Sequence, residues 1–394
     1  MKFKSMALLM LTMAMPAMAD QVTVNTQGVS LVLDVENGQP AKYLYFGARL
    51  DERDKANLSV TANGRMDVYP AYGLNTPAES ALALRHADGN MSTALVATGY
   101  DSRQEANATV TVIHLKDAVY PVKVDLCYRA YKDVDLIEAW SEITNEEKGT
   151  VTLTTFASAM LPIRRGNVWM SHLSGTWASE GYVNNELLTP GEFVIRNADG
   201  TRNSHTDHAE VMFSLDGKGQ ENVGRVIGAA LVYGGNYKLK AVTDDTDYHY
   251  FFAGINEENS EYHLRKGETF KTPALALTFS NEGLSGASRN FHKWGRKYVL
   301  AHGSQLRDIL LNSWEGVYFD INQQGMDQMM ADIASMGGEL FVMDDGWFGT
   351  KYQRNSDNCA LGDWEVDRKK LPDGIEGLLR DAKKNGVKFG IWIE

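Results

Sequence analysis

The sequence predicts a large antiparallel β sandwich followed by the beginning of a parallel β/α structure. From residue 20 to about residue 280, apolar and polar residues alternate with a period of two over short runs that are separated by Asn-Gly, Asp-Gly, Pro-Gly and Gly-Gly turns. After residue 284 the apolar residues follow a helical period, and predicted strands then alternate with predicted helices. Strand after strand with no convincing helix indicates antiparallel sheets, whereas a strand–helix alternation indicates parallel ones.

Residues 1–19 are typical of a secretory signal peptide. They contain two lysines near the start, a short apolar stretch and an A-M-A cleavage site that ends at Ala19. The apolar stretch is too short to span a bilayer, and no other run of about eighteen apolar residues follows. We therefore expect cleavage after Ala19, no membrane span, and a secreted or periplasmic protein.

The composition restricts the classes of partner. With 43% hydrophobic and 10% aromatic residues, the mature chain can form the cores of two domains. A net charge of −12 excludes a basic surface for nucleic acid, because binding to polyanions depends on lysine and arginine. Cys127 and Cys359 lie in different predicted domains, so we expect both thiols to be free. The sequence contains no motif for a metal or a nucleotide cofactor.

The first predicted domain covers residues 20–283 and is all β. Segments such as "QVTVNTQGVSLVLDV" and "VYPVKVDLCYRAY" alternate apolar and polar side chains, as half-buried strands do. Residues 284–305 are predicted to form a connecting helix and linker, because Phe291, Trp294 and Tyr298 recur at three- and four-residue steps.

The second predicted domain covers residues 306–394. Its strands are expected in residues 309–319, 339–343 and 387–393, its helices in residues 326–336 and 375–386, and a long loop follows the second strand. Both a doubly wound sheet and a (β/α)8 barrel fit this order. Polar and aromatic residues collect where each strand ends, which favours a barrel. Because a barrel needs about 250 residues, we expect this part to hold the first three strands and two helices of an incomplete barrel.

Four carboxylates follow the predicted strands: Glu315, Asp344, Asp345 and Glu394. Glycoside hydrolysis uses two carboxylates on opposite sides of the scissile bond, at least about 5 Å apart. Asp344 and Asp345 are adjacent, with Cα atoms about 3.8 Å apart, so they can approach only one side of a sugar. Such a pair suits the binding of several hydroxyl groups; the alternative is that one aspartate caps a turn while the other is solvated.

Two tryptophans complete the candidate site. Trp347 follows the aspartate pair in "DDGWFG" and could close the rim of the site. Trp177, in "SGTWASEG", lies in a glycine-bounded loop of the sandwich and could stack on a sugar, although a tryptophan is more often part of a core.

Several strings in this sequence resemble those of family-36 glycoside hydrolases, the bacterial α-galactosidases. The specific ones are "ILLNSWEGVYFD", "GGELFVMDDGWFG", "LGDWEVDRKKLPDGIEGL" and "GVKFGIWIE", and the upstream strings "YPAYG", "SGTW", "VYGGN", "KGETFKTP" and "GLSGASRNFH" agree. The resemblance covers nearly the whole mature chain. It implies an N-terminal β-supersandwich, a connecting helix, a (β/α)8 TIM barrel and a C-terminal β domain.

The resemblance also implies retaining hydrolysis of terminal α-galactosides without a metal or cofactor, and often a homotetramer. Asp344 and Asp345 match the family's pair that binds the terminal galactose, Trp177 matches a tryptophan that reaches the sugar, and Trp392 matches one that lines the pocket. Glu394 is then expected to be a rim residue.

The family's nucleophile lies in a K-W-D-x-N string on the fourth barrel strand, and its acid/base is a later aspartate. Neither string occurs here, and the sequence ends at Glu394, just before the family's P-E-M string, so we expect a polypeptide cut inside the barrel that binds galactose weakly and hydrolyses nothing by itself. The family's W-x-R-E string is Trp-Ala-Ser-Glu at residues 177–180, which leaves the preference for oligosaccharides open.

Three other readings stay open. An α-N-acetylgalactosaminidase or a galactosyl transferase could use the same scaffold, and a non-catalytic carbohydrate-binding protein could keep the sandwich and the aspartate pair. The reading frame beyond residue 394 and turnover of a substrate would distinguish them.

Overall fold

The structure is a computed structural model that describes residues 20–59, 66–73, 79–202 and 206–393. The chain divides into two compact units, which meet in sequence between Ala301 and His302. The predicted signal peptide and Glu394 lie outside the described residues. Within the described ranges, no helix is both long and apolar enough to cross a membrane.

The N-terminal unit contains nineteen named strands. Numbered along the chain, they are β1 Asp20–Asn25, β2 Val29–Val35, β3 Lys42–Ala48, β4 Leu82–Arg85, β5 Leu95–Gln104, β6 Ala108–Asp117, β7 Val122–Tyr131, β8 Ile137–Asn145, β9 Val151–Arg165, β10 Trp169–Thr176, β11 Ser179–Leu187, β12 Gly191–Arg196, β13 Asp207–Ser214, β14 Val226–Leu231, β15 Tyr237–Thr243, β16 Tyr248–Ile255, β17 Tyr262–Leu264, β18 Thr269–Lys271 and β19 Leu275–Ser280.

These strands form three antiparallel sheets. The largest has the order β11-β10-β13-β14-β19-β8-β7-β6-β5, with β18 also paired to β8. The second has the order β12-β15-β16-β9-β17, with β4 also paired to β9, and β1-β2-β3 form a small third sheet. Consecutive strands are mostly joined by short turns, which explains the period of two that the sequence shows.

The two larger sheets pack face to face around one apolar core. Phe213 of β13 and Phe251 of β16 are fully buried and meet edge to face with ring centroids 5.0 Å apart. The hydroxyl of Ser141 on β8 donates to the carbonyl of Ser158 on β9 over 2.9 Å. The N-terminal unit is therefore built mostly of antiparallel sheets, which is consistent with the predicted sandwich.

Among the described residues, one short helix interrupts the N-terminal strands, in a region where the sequence predicts only strands. Helix α1 covers Glu52–Ala56, and the side chain of Asp51 accepts a hydrogen bond from the backbone N–H of Asp54. This cap stabilises a helix that is too short to show an apolar period, which is why the sequence does not reveal it.

The predicted connecting helix packs on the sandwich. Helix α2 covers Gly283–Trp294, continues as a π-helical turn over Gly295–Val299, and buries Ala287 and Trp294. A Cβ atom on Gly228 of β14 would lie 2.7 Å from the ring of Phe291, so this glycine allows the helix to approach the sheet closely. The helix thus belongs to the N-terminal unit.

The C-terminal unit is a parallel sheet with helices. The elements are β20 Leu310–Asn312, α3 Trp314–Val317, α4 Gln323–Ser335, β21 Leu340–Met343, α5 Gly374–Asn385 and β22 Lys388–Ile391. Both strand pairs, β20–β21 and β21–β22, are parallel. The core contains Met326, Met330 and Ile333 of α4, as the helical spacing predicts. Helix α5 ends at Gly386, whose φ of +72° is the left-handed conformation that terminates helices.

Candidate active site

The three parallel strands bring polar residues together at one edge of the sheet. Asn312 ends β20, the Asp344–Asp345 pair follows β21, and Trp392 follows β22. The side-chain amide of Asn312 donates to Oδ2 of Asp344 over 2.6 Å, which joins the first two strand ends directly. Because the carboxyl ends of parallel strands lie at the same edge, this is where the sequence predicted a site.

Asp344 is half-buried and keeps unused acceptor positions. Its Oδ2 accepts from Asn312, and its Oδ1 accepts from the backbone N–H of Asp345 over 2.8 Å. Its own backbone N–H donates to Oγ of the fully buried Ser313 over 3.0 Å, which fixes the chain at this point. An ionised carboxylate offers about four acceptor positions. Asp344 can therefore accept further hydrogen bonds from a ligand.

Asp345 has a different environment, because it is buried against an arginine. Only 4% of Asp345 and 2% of Arg354 are exposed. The guanidinium makes a fork: Nε lies 3.0 Å from Oδ1 and Nη2 lies 2.9 Å from Oδ2 of Asp345. The backbone N–H of Gly346 donates to Oδ1 over 2.6 Å. A buried carboxylate with these partners is held in one orientation.

The turn after the pair requires a glycine. Gly346 has φ +104°, and a Cβ atom there would lie 2.9 Å from Cα of Phe319. The conformation and the close approach both exclude other residues. This turn directs the chain away from the sheet edge and into the long loop.

Lys370 holds the same turn from the other side. Its Nζ donates to the carbonyl oxygens of Phe319 over 3.0 Å, Gly346 over 2.7 Å and Arg354 over 3.0 Å. Burial lowers the pKa of Lys370 from its ordinary value. This ammonium connects the segment after β20, the turn after β21 and the loop that carries Arg354.

The expectation that Trp347 closes the rim is wrong. Trp347 is 4% exposed, its ring lies 5.2 Å from that of Phe348, and its indole N–H donates to the carbonyl of Trp392 over 3.0 Å. The turn at Gly346 points the indole into the core, where it anchors the end of β22. Trp392 is half-buried, and its side chain packs against the same core.

Glu315 lies on the short helix α3 and is exposed. Its Oε2 accepts from the hydroxyl of Tyr318 over 3.1 Å. Tyr318 has φ +46°, a strained conformation for a residue with a side chain, and strain of this kind is common near functional sites. Neither residue belongs to the group formed by Asn312, Asp344 and Asp345.

Trp177 lies in the N-terminal unit, at the turn of the hairpin formed by β10 and β11. Its side chain is 77% exposed, so it is not part of a core. Ala178, beside it, has φ +59°, and its N–H donates to the side chain of Glu180 over 2.9 Å. A large exposed indole on an ordered turn is suited to contact a ligand or another surface.

The sequence did not single out Arg354, Lys370, Asn312 or Ser313 as site residues. A buried carboxylate needs a counter-charge, so a basic residue in the long loop could have been expected. Four other basic residues of the loop and its end were equally eligible, and spacing alone does not choose among them: Lys351, Arg368, Lys369 and Lys370. Among the residues that the structure describes, no group of three or more metal-ligating side chains occurs, and both cysteines are free.

The chain thus combines an N-terminal unit of antiparallel sheets with a C-terminal parallel β/α unit that carries two aspartates where its middle strand ends, a combination typical of carbohydrate-active enzymes. Comparison with family models gives the family. Residues 39–265 match the glycosyl hydrolase family 36 N-terminal domain, and residues 269–394 match the melibiase model. The chain belongs to glycosyl hydrolase family 36.

Named relatives agree with this assignment. Alpha-galactosidase 1 of Pediococcus pentosaceus is 29% identical over 94% of this chain and 55% of its own length. Alpha-galactosidase C of Emericella nidulans is 32% identical over 74% of this chain and 40% of its own length. A crystal structure of a variant of the α-galactosidase AgaA from Geobacillus stearothermophilus, in complex with stachyose, superimposes with a TM-score of 0.86 at 26% identity, covering 95% of this chain and 56% of that one. The chain spans about half the length of the curated relatives that it matches.

Proposed function

We propose that this protein is an α-galactosidase that hydrolyses terminal α-galactosides with retention, and that the edge around Asp344 holds the terminal galactose. The observation that carries the proposal is the pair of adjacent aspartates at the carboxyl end of a parallel strand, in a family-36 chain whose relatives are named α-galactosidases.

The chemistry of the pair supports a binding role. Asp344 retains open acceptor positions at the sheet edge, and hydrogen bonds from hydroxyl groups to a carboxylate contribute about 1.5–3 kcal/mol each. Oδ2 of Asp345 has one short donor, Nη2 of Arg354 at 2.9 Å, and a longer contact with Nε at 3.2 Å. Trp392 is proposed as an apolar surface for the sugar, because aromatic rings stack on its C–H face, and a contact of Trp177 with sugar is proposed from the resemblance alone.

Cleavage needs groups that this edge does not supply. The aspartates are neighbours on one strand end, so they cannot lie on opposite faces of an anomeric carbon. In the double displacement that we propose, one carboxylate attacks the anomeric carbon while a second donates a proton to the leaving oxygen. Water, deprotonated by the second group, then attacks the galactosyl-enzyme, which releases galactose and the nucleophile. We place both groups on later strands of a (β/α)8 barrel that begins with β20, β21 and β22.

Three further parts of the proposal come from the sequence and its resemblance. We infer export to a secreted or periplasmic location with cleavage after Ala19, an N-terminal supersandwich, and a homotetramer. The N-terminal sequence of the exported protein tests cleavage after Ala19, and its mass in solution tests the homotetramer.

The proposal is tested with the product of the complete reading frame. It should hydrolyse p-nitrophenyl α-galactoside and leave the β-anomer intact. Asp344→Asn should weaken galactose binding roughly 10- to 150-fold, which corresponds to one lost charged hydrogen bond. Asp332→Asn, at an exposed position on α4, is the matched control and should bind normally.

Other results would change the assignment. Hydrolysis of an α-N-acetylgalactosaminide in preference to the galactoside, or transfer to a sugar in preference to water, would replace the proposed activity by a related one. Binding without turnover by that product would indicate a carbohydrate-binding protein. Unchanged galactose binding by Asp344→Asn would remove this edge from the sugar site.

A further inference from the structure

We propose that Arg354 is a positioning residue of the site: acting through Asp345, it fixes the direction in which the aspartate pair presents its free acceptor positions. This inference rests on the proposed function, because it concerns the same galactose-binding edge. It assigns a role to a residue that does not belong to the aspartate pair and lies on the irregular loop after β21.

The fork of Arg354 determines the orientation of the Asp345 carboxylate. Oδ1 accepts from Nε over 3.0 Å, and Oδ2 accepts from Nη2 over 2.9 Å. Two nearly parallel hydrogen bonds lock rotation about the last torsion angle of an aspartate, which a single bond does not do. Because the side chains are only 2% and 6% exposed, water does not compete for these bonds.

The fork also limits which acceptor position remains. Gly346 N–H takes a second position on Oδ1 over 2.6 Å. Oδ1 then has two short donors, whereas Oδ2 has Nη2 at 2.9 Å and a longer contact with Nε at 3.2 Å, so Oδ2 keeps the less used acceptor position. Without Arg354, Asp345 could turn toward solvent or toward Asp344, where two like charges would repel.

The other end of the guanidinium is tied to the loop. Nη1 donates to the carbonyl oxygens of Asp357 and Cys359, each over 2.8 Å. The backbone carbonyl of Arg354 accepts from Lys370 over 3.0 Å. Four N–H groups of the planar guanidinium serve the carboxylate and the loop, and a lysine has neither the fork nor the reach to replace them.

The reaction rate of the Cys359 thiol measures the packing of the loop independently of sugar binding. Its thiol donates to the carbonyl of Gln353 over 3.2 Å, so its reactivity follows the packing of residues 353–359. Cys127, the other thiol, is buried in the sandwich, and burial raises its pKa to about 12, which makes it slow to react. Of these two cysteines, Cys359 is therefore the one that a thiol reagent labels in the native protein.

The experiment compares Arg354→Lys and Arg354→Ala with Arg380→Ala, an exposed arginine of α5 as the matched control. Galactose affinity is measured by ligand-observed NMR, and Cys359 labelling is followed in the same samples. Both Arg354 variants should bind galactose at least tenfold more weakly and label faster, whereas Arg380→Ala should match the wild type. Millimolar guanidinium, compared with sodium at equal ionic strength, should restore part of the affinity of Arg354→Ala.

Two results would overturn the positioning role of Arg354. Arg354 variants that bind galactose within twofold of the wild type would overturn the inference and leave the proposed function intact. The inference would also be overturned if Arg354→Ala lost galactose affinity that guanidinium did not restore while Arg354→Lys bound galactose normally. That pattern would indicate a purely structural residue. If Arg354→Ala does not fold, Arg354→Lys alone carries the comparison.

A wild-type protein that binds no galactose would refute the proposed function separately. Labelling then still tests the positioning role: a Cys359 rate that is unchanged in the Arg354 variants overturns it, and a faster rate supports it.

Discussion

Removal of the Lys370 ammonium tests whether the candidate site depends on the cross-links within its loop. Lys370→Met keeps most of the side-chain length and its apolar stem but removes the donor to the carbonyls of Phe319, Gly346 and Arg354. These carbonyls belong to three separate segments, so their loss should loosen the loop and the turn together.

The expected cost follows from the contacts. Hydrogen bonds to a charged group contribute about 1.5–3 kcal/mol each. Burial, which lowers the pKa of Lys370, shows that the site also opposes the charge, and the partial exposure of the lysine lets water replace some of the lost bonds. We therefore expect a net loss of about 2–4 kcal/mol in the stability of the loop, well below the gross value of three such bonds.

Hydrogen exchange measures this loss locally. Amides of the loop that donate within it, such as those of Gly349 and Asp367, should exchange roughly 30- to 1,000-fold faster in Lys370→Met, because 1.4 kcal/mol corresponds to a factor of ten. Peptides from the sandwich should not change. Lys369→Met, at the exposed neighbouring lysine, is the control. Equal exchange in the two variants would refute the claim that Lys370 holds the site together.

Two further predictions concern the turn and the sandwich. Gly346→Ala should abolish galactose binding, because the φ of +104° is strained for alanine and the new Cβ atom would lie 2.9 Å from a backbone carbon of the segment after β20. Gly337→Ala is the control: its φ is +87° but no atom lies near the new Cβ, so this variant should lose stability and keep binding galactose. For His114, burial would lower the pKa, but hydrogen bonds with Asp125 and Asp101 outweigh it and raise the pKa. The charged form therefore stabilises the folded state below about pH 6.5, and this contribution is lost as the pH rises through the raised value, so His114→Gln should lower the melting temperature at pH 5.5 and little at pH 9. The effect should not exceed about 1 kcal/mol because the pairs are solvent-exposed, and a pH-independent difference would contradict it.

The regular elements were predictable because their apolar periods are strong. Met326, Met330 and Ile333 face the core of the C-terminal unit, and Gly386 ends α5, as the spacing and the glycine indicate. The position of the aspartate pair at the carboxyl end of β21 was also predictable, because the pair directly follows an apolar run of the length of a buried strand.

The irregular parts were not predictable from local patterns. The order of strands in the two large sheets depends on contacts between distant segments, such as Phe213 with Phe251. The burial of Trp347 follows from the turn at Gly346, whose direction depends on the segment near Phe319. Arg354 is nine residues from Asp345 in an irregular loop, where no period relates one side chain to another. The strand order, the burial of Trp347 and the pairing of Arg354 with Asp345 all depend on contacts between segments that are distant in sequence or lack a regular period.

The two aspartates differ in charge as well as in geometry, and this difference indicates the kind of ligand that fits. The charge of Asp345 is balanced by Arg354 in a buried pair. Among the described residues, Asp344 accepts hydrogen bonds from neutral donors, the amide of Asn312 and the backbone N–H of Asp345. A lone carboxylate in this position attracts hydroxyl donors and repels anions. The proposed galactose site uses this difference, because hydroxyl groups of a sugar can donate hydrogen bonds to the carboxylate of Asp344.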